Sequence, residues 1–211
     1  MAAVDPDFDH LVYATPDLAA TLRRFAELTG VEPAEGGQHV GRGTRNCLVG
    51  LGGQRYLEII GPDPDQPAPA RPLPFGIDKL TTTQLVTWAV HPAGLEERIA
   101  KARAAGYDPG TIEPLSRRTP AGVLLEWRLT SPASGDRAGI VPFLIDWGAT
   151  AHPTSDGLPT VDLTVLTATH PDPEAAQSRL GALGVRLDVR PGAEESLTAA
   201  LQTPNGWVTL T

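Results

Sequence analysis

Short apolar runs of strand length recur along the chain, and segments with helical periodicity lie between them. The first run spans 8–14, and the apolar residues that follow it, from Leu18 to Leu28, repeat at helical spacing until a glycine interrupts them. Two further extended runs lie at 43–51 and 54–60. Strand-length runs and a helical period in this order predict one β-α-β-β-β unit.

The same order of elements returns twice more, which indicates an internal repeat. Turns that contain Pro16, Pro92 and Pro171 align the three segments, and each turn precedes a helical pattern that a glycine ends. From the turn proline to that glycine the distance is 14 residues in the first two segments and 13 in the third. Because duplicated units preserve such spacings, we predict tandem β-α-β-β-β modules and an α+β fold with more sheet than helix.

Proline-rich stretches mark the predicted boundaries of the modules. The first module is assigned to 7–62, the second to 81–148 and a third, divergent one to 160–211, with helices predicted near 17–29, 93–105 and 173–183. The connector at 63–80 carries alternating prolines, which cannot donate to a sheet ladder and favour an extended path. We therefore expect a stiff linker between the first two modules.

Charge and composition exclude several classes of protein. The formal charge of −8, from 17 basic and 25 acidic residues, argues against nucleic-acid binding, because phosphate neutralisation requires a basic face. The Arg117-Arg118 pair is interpreted as a charged loop. The first residues lack the features of a secretory signal, no apolar run reaches the length of a membrane span, and the lone Cys47 excludes a disulfide framework. We expect a cytoplasmic protein without a membrane partner.

A set of motifs in a fixed order resembles the vicinal oxygen chelate (glyoxalase/bleomycin resistance/dioxygenase) superfamily and, within it, the glyoxalase-like domain family. The motifs are Asp-His-Leu-Val at 9–12, Gly-Thr-Arg-Asn at 43–46, Tyr-Leu-Glu-Ile-Ile-Gly-Pro at 56–62, Leu-Val-Thr-Trp-Ala at 85–89, Leu-Glu-Trp-Arg-Leu at 125–129 and Pro-Phe-Leu-Ile-Asp-Trp-Gly at 142–148. The resemblance implies that the curved mixed sheets of the first two modules form a cup-shaped open barrel. These modules together would be the glyoxalase-like domain, at 7–153, with a metal or substrate site inside.

The resemblance also implies a site on the first module. In the metal-binding members of the superfamily each module contributes one ligand from its first strand and a glutamate from its last, and His10 and Glu58 occupy these positions here. An imidazole and a carboxylate suit a divalent ion such as Zn²⁺, Ni²⁺, Fe²⁺ or Mn²⁺. The matching residues of the second module are Val86 and Ile145, which cannot bind a metal. The expected ligand set is therefore half complete.

The incomplete ligand set leaves alternatives open. A one-residue shift in the alignment would bring Thr87 or Asp146 forward, and His152 or Glu126 could also complete a site. Without a metal, the two first-module residues could act as a hydrogen-bonded pair, in which the carboxylate abstracts a proton next to a substrate carbonyl. Both residues are therefore catalytic candidates with or without a metal.

The substrate-binding candidates follow from the asymmetry of the two modules. They are Asn46, Trp88, Trp127, Arg128, Phe143 and Trp147. Because the first module supplies polar groups and the second mainly aromatic ones, we predict a pocket with one polar and one aromatic wall. Trp88 lies two residues from Val86 in a strand, so it is placed on the same face. Arg128 is assigned either to a substrate carboxylate or to an ion pair with Glu126 or Asp146.

Two functions stay open on this reading. One is a small-molecule lyase, isomerase or oxygenase of the glyoxalase-like kind that uses His10 and Glu58, with or without a divalent metal. The other is a non-catalytic protein that binds or sequesters a small molecule, like the antibiotic-binding members of the superfamily. Either way the partner is a small molecule, and a homodimer is an open option because exposed strand edges can pair between chains.

Overall fold

The computed structural model of the protein describes residues 4–67, 69, 71–132 and 139–211. Its strands and helices are β1 (Phe8–Ala14), α1 (Leu18–Thr29), β2 (Ala34–His39), β3 (Thr44–Gly50), β4 (Tyr56–Pro62), β5 (Gln84–Val90), α2 (Leu95–Ala104), β6 (Thr111–Arg118), β7 (Leu124–Ser131), β8 (Phe143–Asp146), β9 (Asp162–His170), α3 (Pro173–Leu183), β10 (Asp188–Pro191), β11 (Ser196–Thr203) and β12 (Gly206–Leu210). Positions 68 and 70 of the predicted connector and 133–138 of the predicted second module lie outside the described residues.

The three predicted helices form within two residues of their expected ends. At the start of α1, the side chain of Asp17 accepts a hydrogen bond from the backbone N–H of Ala20 at 3.0 Å, and Gly30 ends the helix in the left-handed conformation. Leu18 and Phe25 of this helix are buried, whereas Leu28 is exposed. The helical period therefore predicted the element and most of its buried face.

Eight strands form a closed barrel in the order β1-β4-β3-β2-β6-β7-β8-β5. In each half the first strand pairs in parallel with the last: Val12 lies opposite Glu58, and Ala89 lies opposite Phe143. The remaining pairs are antiparallel, including the β1–β5 seam. The prediction of an α+β fold with tandem modules around a cup-shaped barrel is confirmed.

The second seam of the barrel is narrow and depends on two consecutive glycines. Strands β2 and β6 share a single ladder position, where Gln38 lies opposite Arg118. A side chain at Gly37 would place its Cβ 2.0 Å from the backbone oxygen of Arg118, and Gly37 has a φ of +135°. Only glycine therefore lets the two halves close here.

The third unit keeps the predicted order of elements but pairs its strands differently. Its four-stranded sheet has the order β10-β9-β11-β12, so that β9 is central, with β10 parallel to it and β11 antiparallel. In the barrel halves, by contrast, the first strand pairs with the last. Helix α3 packs against α2, where Arg98 Nη1 donates to the backbone oxygen of Leu183 at 2.9 Å. No helix within the described residues is long and apolar enough to cross a membrane.

Two apolar clusters result from this arrangement. The outer cluster fills the space between the barrel wall, the helices and the third sheet, and it includes Phe8, Leu11, Trp88, Leu144, Leu180 and Leu201. The inner cluster faces the lumen of the barrel and includes Val12, Tyr56, Val86, Trp127, Phe143, Ile145 and Trp147. The candidate site is set into the inner cluster.

Candidate functional site

The lumen of the barrel contains a narrow cavity of about 50 Å³. Its walls are formed by His10, His39, Arg42, Thr44, Asn46, Leu48, Tyr56, Glu58, Ile60, Pro74, Phe75, Leu115, Arg117, Trp127, Leu129, Phe143, Ile145 and Trp147. This volume holds a few water molecules, so a ligand must be small or must displace the aromatic side chains.

Strand alternation brings the carboxylate of Glu58 into the lumen. Tyr56, Glu58 and Ile60 are alternate residues of β4, and all three line the cavity. Strand β1 lies beside β4 and contributes His10 to the same wall. The two residues of the predicted half-site therefore share one cavity, although each has its own hydrogen-bond partner.

Glu58 belongs to a polar cluster toward the end of the barrel where β2 turns into β3. Its Oε1 accepts a hydrogen bond from Asn46 Nδ2 at 2.6 Å, and His39 Nε2 lies 3.6 Å from the same oxygen. On the other side of the amide, Arg117 Nη1 donates to Asn46 Oδ1 at 3.5 Å. All four residues are buried. The amide thus links a carboxylate from one half of the barrel to a guanidinium from the other.

Gly36 makes room for this cluster. A Cβ at this position would lie 2.2 Å from Asn46 Oδ1 and 2.6 Å from Arg117 Nη1. Such contacts are far shorter than van der Waals separation, so one of the two side chains must move. The first glycine of the Gly36-Gly37 pair therefore preserves the polar cluster, and the second preserves the seam.

We expect Gly36→Ala to lower the free energy of unfolding by about 1–3 kcal/mol, because the added methyl group forces Asn46 or Arg117 out of place. Chemical denaturation measures the change. Gly181→Ala is the matched control, because a Cβ on that helical glycine meets nothing within 4 Å. The control should be neutral or slightly stabilising, since alanine favours helix. Equal stability of Gly36→Ala and the unmodified protein would contradict the crowding.

A second buried network surrounds Asp9, toward the end of the barrel where β1 and β4 begin. The register of β1 against β5 skips Asp9, which is therefore a β-bulge residue. Its Oδ1 accepts a hydrogen bond from His10 Nδ1 at 2.6 Å, and its Oδ2 accepts one from Trp147 Nε1 at 3.1 Å. His152 Nε2 lies 3.3 Å from Oδ2, off the line of a good hydrogen bond.

The electrostatics of this network fix the tautomer of His10. Burial raises the pKa of Asp9, but the hydrogen bond from His10, and then the close contact with His152, outweigh burial and hold the pKa well below its usual range. Asp9 is therefore ionised, and it accepts the proton carried by His10 Nδ1. The second ring nitrogen of His10 is left as a proton acceptor.

Tyr56 lies between the two networks. The ring of His10 stacks on it with centroids 4.6 Å apart and an interplanar angle of 19°. Burial, followed by the charges of Asp9 and Glu58, raises the pKa of Tyr56 well above its ordinary value. The phenol therefore stays neutral and separates the imidazole from the carboxylate.

The opposite wall of the cavity is aromatic. Trp127 and Trp147 have ring centroids 5.4 Å apart, and Phe75 and Phe143 have centroids 6.4 Å apart. Phe75 is buried and adopts a left-handed φ of +59°, which is unusual for a bulky residue. The cavity therefore combines a polar wall with an aromatic wall.

Six of the eight predicted site residues line this cavity, namely His10, Asn46, Glu58, Trp127, Phe143 and Trp147. Trp88 does not, and its predicted place on the cavity wall is wrong. The register of β5 against β1 skips Val86, so that alternation shifts by one residue and Trp88 faces the outer cluster. Its Nε1 donates to the backbone oxygen of Ile140 at 2.7 Å.

Arg128 also lies away from the cavity, on the outer side of β7. Its guanidinium binds Asp146 and lies 2.6 Å from Glu96, so the ion-pair alternative describes it and the substrate alternative does not. The residues proposed to complete the ligand set do not do so either. Asp146 is occupied by Arg128, and Glu126 is exposed.

Sequence reasoning missed several polar residues of the site, among them Asp9, His39, Arg42 and Arg117. Arg117 was interpreted as part of a charged loop, but it is only 4% exposed and its side chain lines the lumen. His39 and Arg117 lie on β2 and β6, the two strands that the apolar pattern did not predict. The Gly36-Gly37 pair was the available signal, because glycines inside a strand mark a close approach of other groups.

The donor groups do not fit a divalent metal. His10 and Glu58 are bound to Asp9 and Asn46, and the wall facing them offers the hydrocarbon of Ile145. A catalytic metal needs about three protein ligands. Within the described residues, no group of three or more His, Cys, Asp or Glu side chains is placed to hold a metal ion. We therefore derive no chemistry through a metal.

Comparison with known proteins identifies the family. The sequence matches the glyoxalase-like domain family over residues 8–184. No curated protein matches the sequence. A solved structure of a hypothetical protein from Staphylococcus aureus is similar over 96% of this chain and 84% of its own, with 14% identity and a TM-score of 0.61. A methylmalonyl-CoA epimerase from Mycobacterium tuberculosis is similar over 70% of this chain and 93% of its own, with 17% identity and a TM-score of 0.41.

At these identities the likeness to solved structures concerns the fold alone. The family match is of a different kind, because it extends over most of the chain, including the whole barrel and the start of the third unit. It agrees with the motifs around His10 and Glu58 and with the paired β-α-β-β-β halves. The chain belongs to the glyoxalase-like domain family.

Proposed function

We propose that the protein is a small-molecule enzyme that moves a proton next to a substrate carbonyl, as lyases and isomerases do, with Glu58 as the base. The observation that supports this most directly is a buried carboxylate on the wall of a small lumen that is otherwise aromatic on the facing side. A carboxylate held by Asn46 at one oxygen has a defined direction. Positioned general bases of this kind accelerate proton transfer substantially.

The proton balance assigns roles to the neighbouring groups. A C–H proton passes to Glu58, and the electron pair of that bond moves into an enolate whose oxygen becomes negative. Arg117 lines the same lumen and carries the positive charge that stabilises such an oxygen. Glu58 then returns the proton to the same or the neighbouring carbon, which restores its carboxylate, and the second ring nitrogen of His10, held by ionised Asp9, accepts a hydrogen bond from the substrate. Oxygenase chemistry is not proposed, because it needs a metal that these donors do not fit.

The second candidate function is a non-catalytic binder of a small molecule. The narrow cavity and its aromatic wall favour it, since stacked aromatic side chains retain flat ligands without any chemistry. The binder needs no proton acceptor, whereas the enzyme requires Glu58. Replacement of this residue therefore distinguishes the two.

The test is exchange of carbon-bound hydrogen. The protein is incubated in D₂O with a panel of small 2-hydroxy, 2-oxo and 1,2-dicarbonyl compounds, and proton NMR follows the loss of the C–H signal next to the carbonyl. We expect catalysed exchange for at least one compound and a reduction of at least about 100-fold in Glu58→Gln. Glu27→Gln, on the exposed side of α1, should keep the rate. Saturation-transfer signals from bound compounds without any exchange would favour the binder and overturn the enzyme.

A further inference from the structure

The charges on the cavity walls do not balance, although the chain as a whole carries −8. Among the described residues that line the cavity, Arg42 and Arg117 are cationic and Glu58 alone is a carboxylate. With the imidazoles counted as neutral, the walls carry a surplus of one positive charge. The surplus resides on the partly exposed Arg42, so an anion that enters the lumen meets an attractive charge there.

Among these three charged residues, Arg42 is the one that has no role in the proposed proton transfer. It lies in the turn between β2 and β3, where its backbone N–H donates to the backbone oxygen of His39 at 3.0 Å. Its partly exposed guanidinium has no hydrogen bond or ion pair with any residue that the structure describes. Arg45, three residues on, is by contrast engaged by Glu35 and Asp65. The sequence therefore places one arginine at the cavity without giving it a carboxylate.

Arg117 reaches the same cavity from the other half of the barrel. It lies on β6, is 4% exposed, and contacts the amide that holds Glu58. Guanidinium groups are suited to carboxylates, because their N–H donors form paired hydrogen bonds with the two oxygens. Two guanidiniums from different modules around one lumen are a recognition site for an anion.

We infer that the ligand of this cavity is a small carboxylic acid whose carboxylate is received by Arg42. The inference rests on the proposed function and names its substrate class, a carbonyl compound with a carboxylate of its own. The surplus of one charge matches a monoanion better than a phosphate monoester. The cavity of about 50 Å³ limits the acid to a few carbon atoms unless the aromatic wall moves.

The experiment compares an acid with its uncharged amide. The probes are 3,3,3-trifluoropropionate and 3,3,3-trifluoropropionamide, titrated against the full chain by fluorine NMR. We expect the acid to bind about tenfold more tightly than the amide. Arg42→Gln should weaken the acid about tenfold and leave the amide unchanged. Arg23→Gln, on the exposed face of α1, is the control and should bind both as the unmodified protein does.

The outcomes separate this inference from the proposed function. Equal affinities for acid and amide, or no acid binding up to about 10 mM, would overturn the carboxylate site. Equal weakening of both probes in Arg42→Gln would also overturn it, because it would indicate a change of shape. Displacement of the acid by inorganic phosphate at similar concentration would assign the site to phosphate instead. Hydrogen exchange that depends on Glu58 would still support the proposed function in each of these cases.

Discussion

Replacing Asp9 by asparagine is expected to lower the free energy of unfolding by about 3 kcal/mol. Asp9 is buried, and its two oxygens accept hydrogen bonds from His10 and Trp147. Hydrogen bonds to a charged group contribute about 1.5–3 kcal/mol each, and the amide loses the charge while turning a donor toward one partner. Urea denaturation measures the change.

The control for this variant is Asp78→Asn, at an exposed position near the end of the connector. We expect it to change the stability by less than about 0.5 kcal/mol. A loss smaller than about 1 kcal/mol in Asp9→Asn would contradict the network, because the buried carboxylate would then be replaceable by any polar group of its size.

The same network predicts how stability depends on pH. Because the pKa of Asp9 is held below the ordinary aspartate value of 3.8, its stabilising contribution is complete well above that pH and is lost as the pH falls through the folded pKa. The groups that face this carboxylate are His10, His152 at 3.3 Å and His91 at 3.8 Å, and none of them is anionic. The difference in stability between the unmodified protein and Asp9→Asn should therefore persist at about pH 5 and shrink progressively below about pH 4. A difference that vanishes near neutral pH would contradict the sign.

The fold was predictable where an element carries a continuous apolar run of strand length or an apolar stripe at helical spacing. The runs that became β1, β4 and β5 and the period that became α1 carry this pattern, and the repeat of turn and glycine spacings indicated the modules. Strands β2 and β6 lack it, because their inward residues include His39 and Arg117. A strand whose buried side chains are polar has no apolar alternation to detect.

The site was predictable only in part for a similar reason. His10 and Glu58 came from the resemblance of two short motifs, and both line the cavity. Asp9 lies beside His10 in the same motif, but its role depends on a bulge in β1 that sequence alternation does not show. Arg42 and Arg117 line the same lumen only because the two halves of the barrel close, which is a long-range consequence of the fold.

Trp88 shows what a bulge does to a prediction based on alternation. Trp88 lies two residues after Val86, so in a regular strand both side chains would be on the same face. The pairing passes from Thr87 to Leu85 instead, which leaves Val86 as an extra residue and turns Trp88 outward. Glu58 and Trp88 therefore face different cavities, and a pocket between them, with Trp88 as the aromatic wall, is not formed.

The position of Trp88 in the outer cluster determines the expected effect of Trp88→Ala. The side chain is fully buried, stacks near Phe8 with ring centroids 6.0 Å apart, and satisfies the backbone oxygen of Ile140. Its removal should lower the free energy of unfolding by about 3–5 kcal/mol, through a cavity in the outer cluster and an unpaired carbonyl. Ligand affinity in the lumen should not change in the fraction that stays folded.

Two further tryptophan variants serve as matched comparisons and test whether Trp88 belongs to the outer cluster. Trp207 is 67% exposed on β12, so Trp207→Ala should leave both stability and ligand binding unchanged. Trp127 lines the cavity, so Trp127→Ala should weaken binding of the fluorinated acid in the titration described above. Denaturation curves and fluorine titrations of the three variants measure both properties. If Trp88→Ala stayed as stable as the unmodified protein and lost ligand affinity instead, the outward orientation of Trp88 would be wrong, and with it the bulge at Val86 that separates the two cavities.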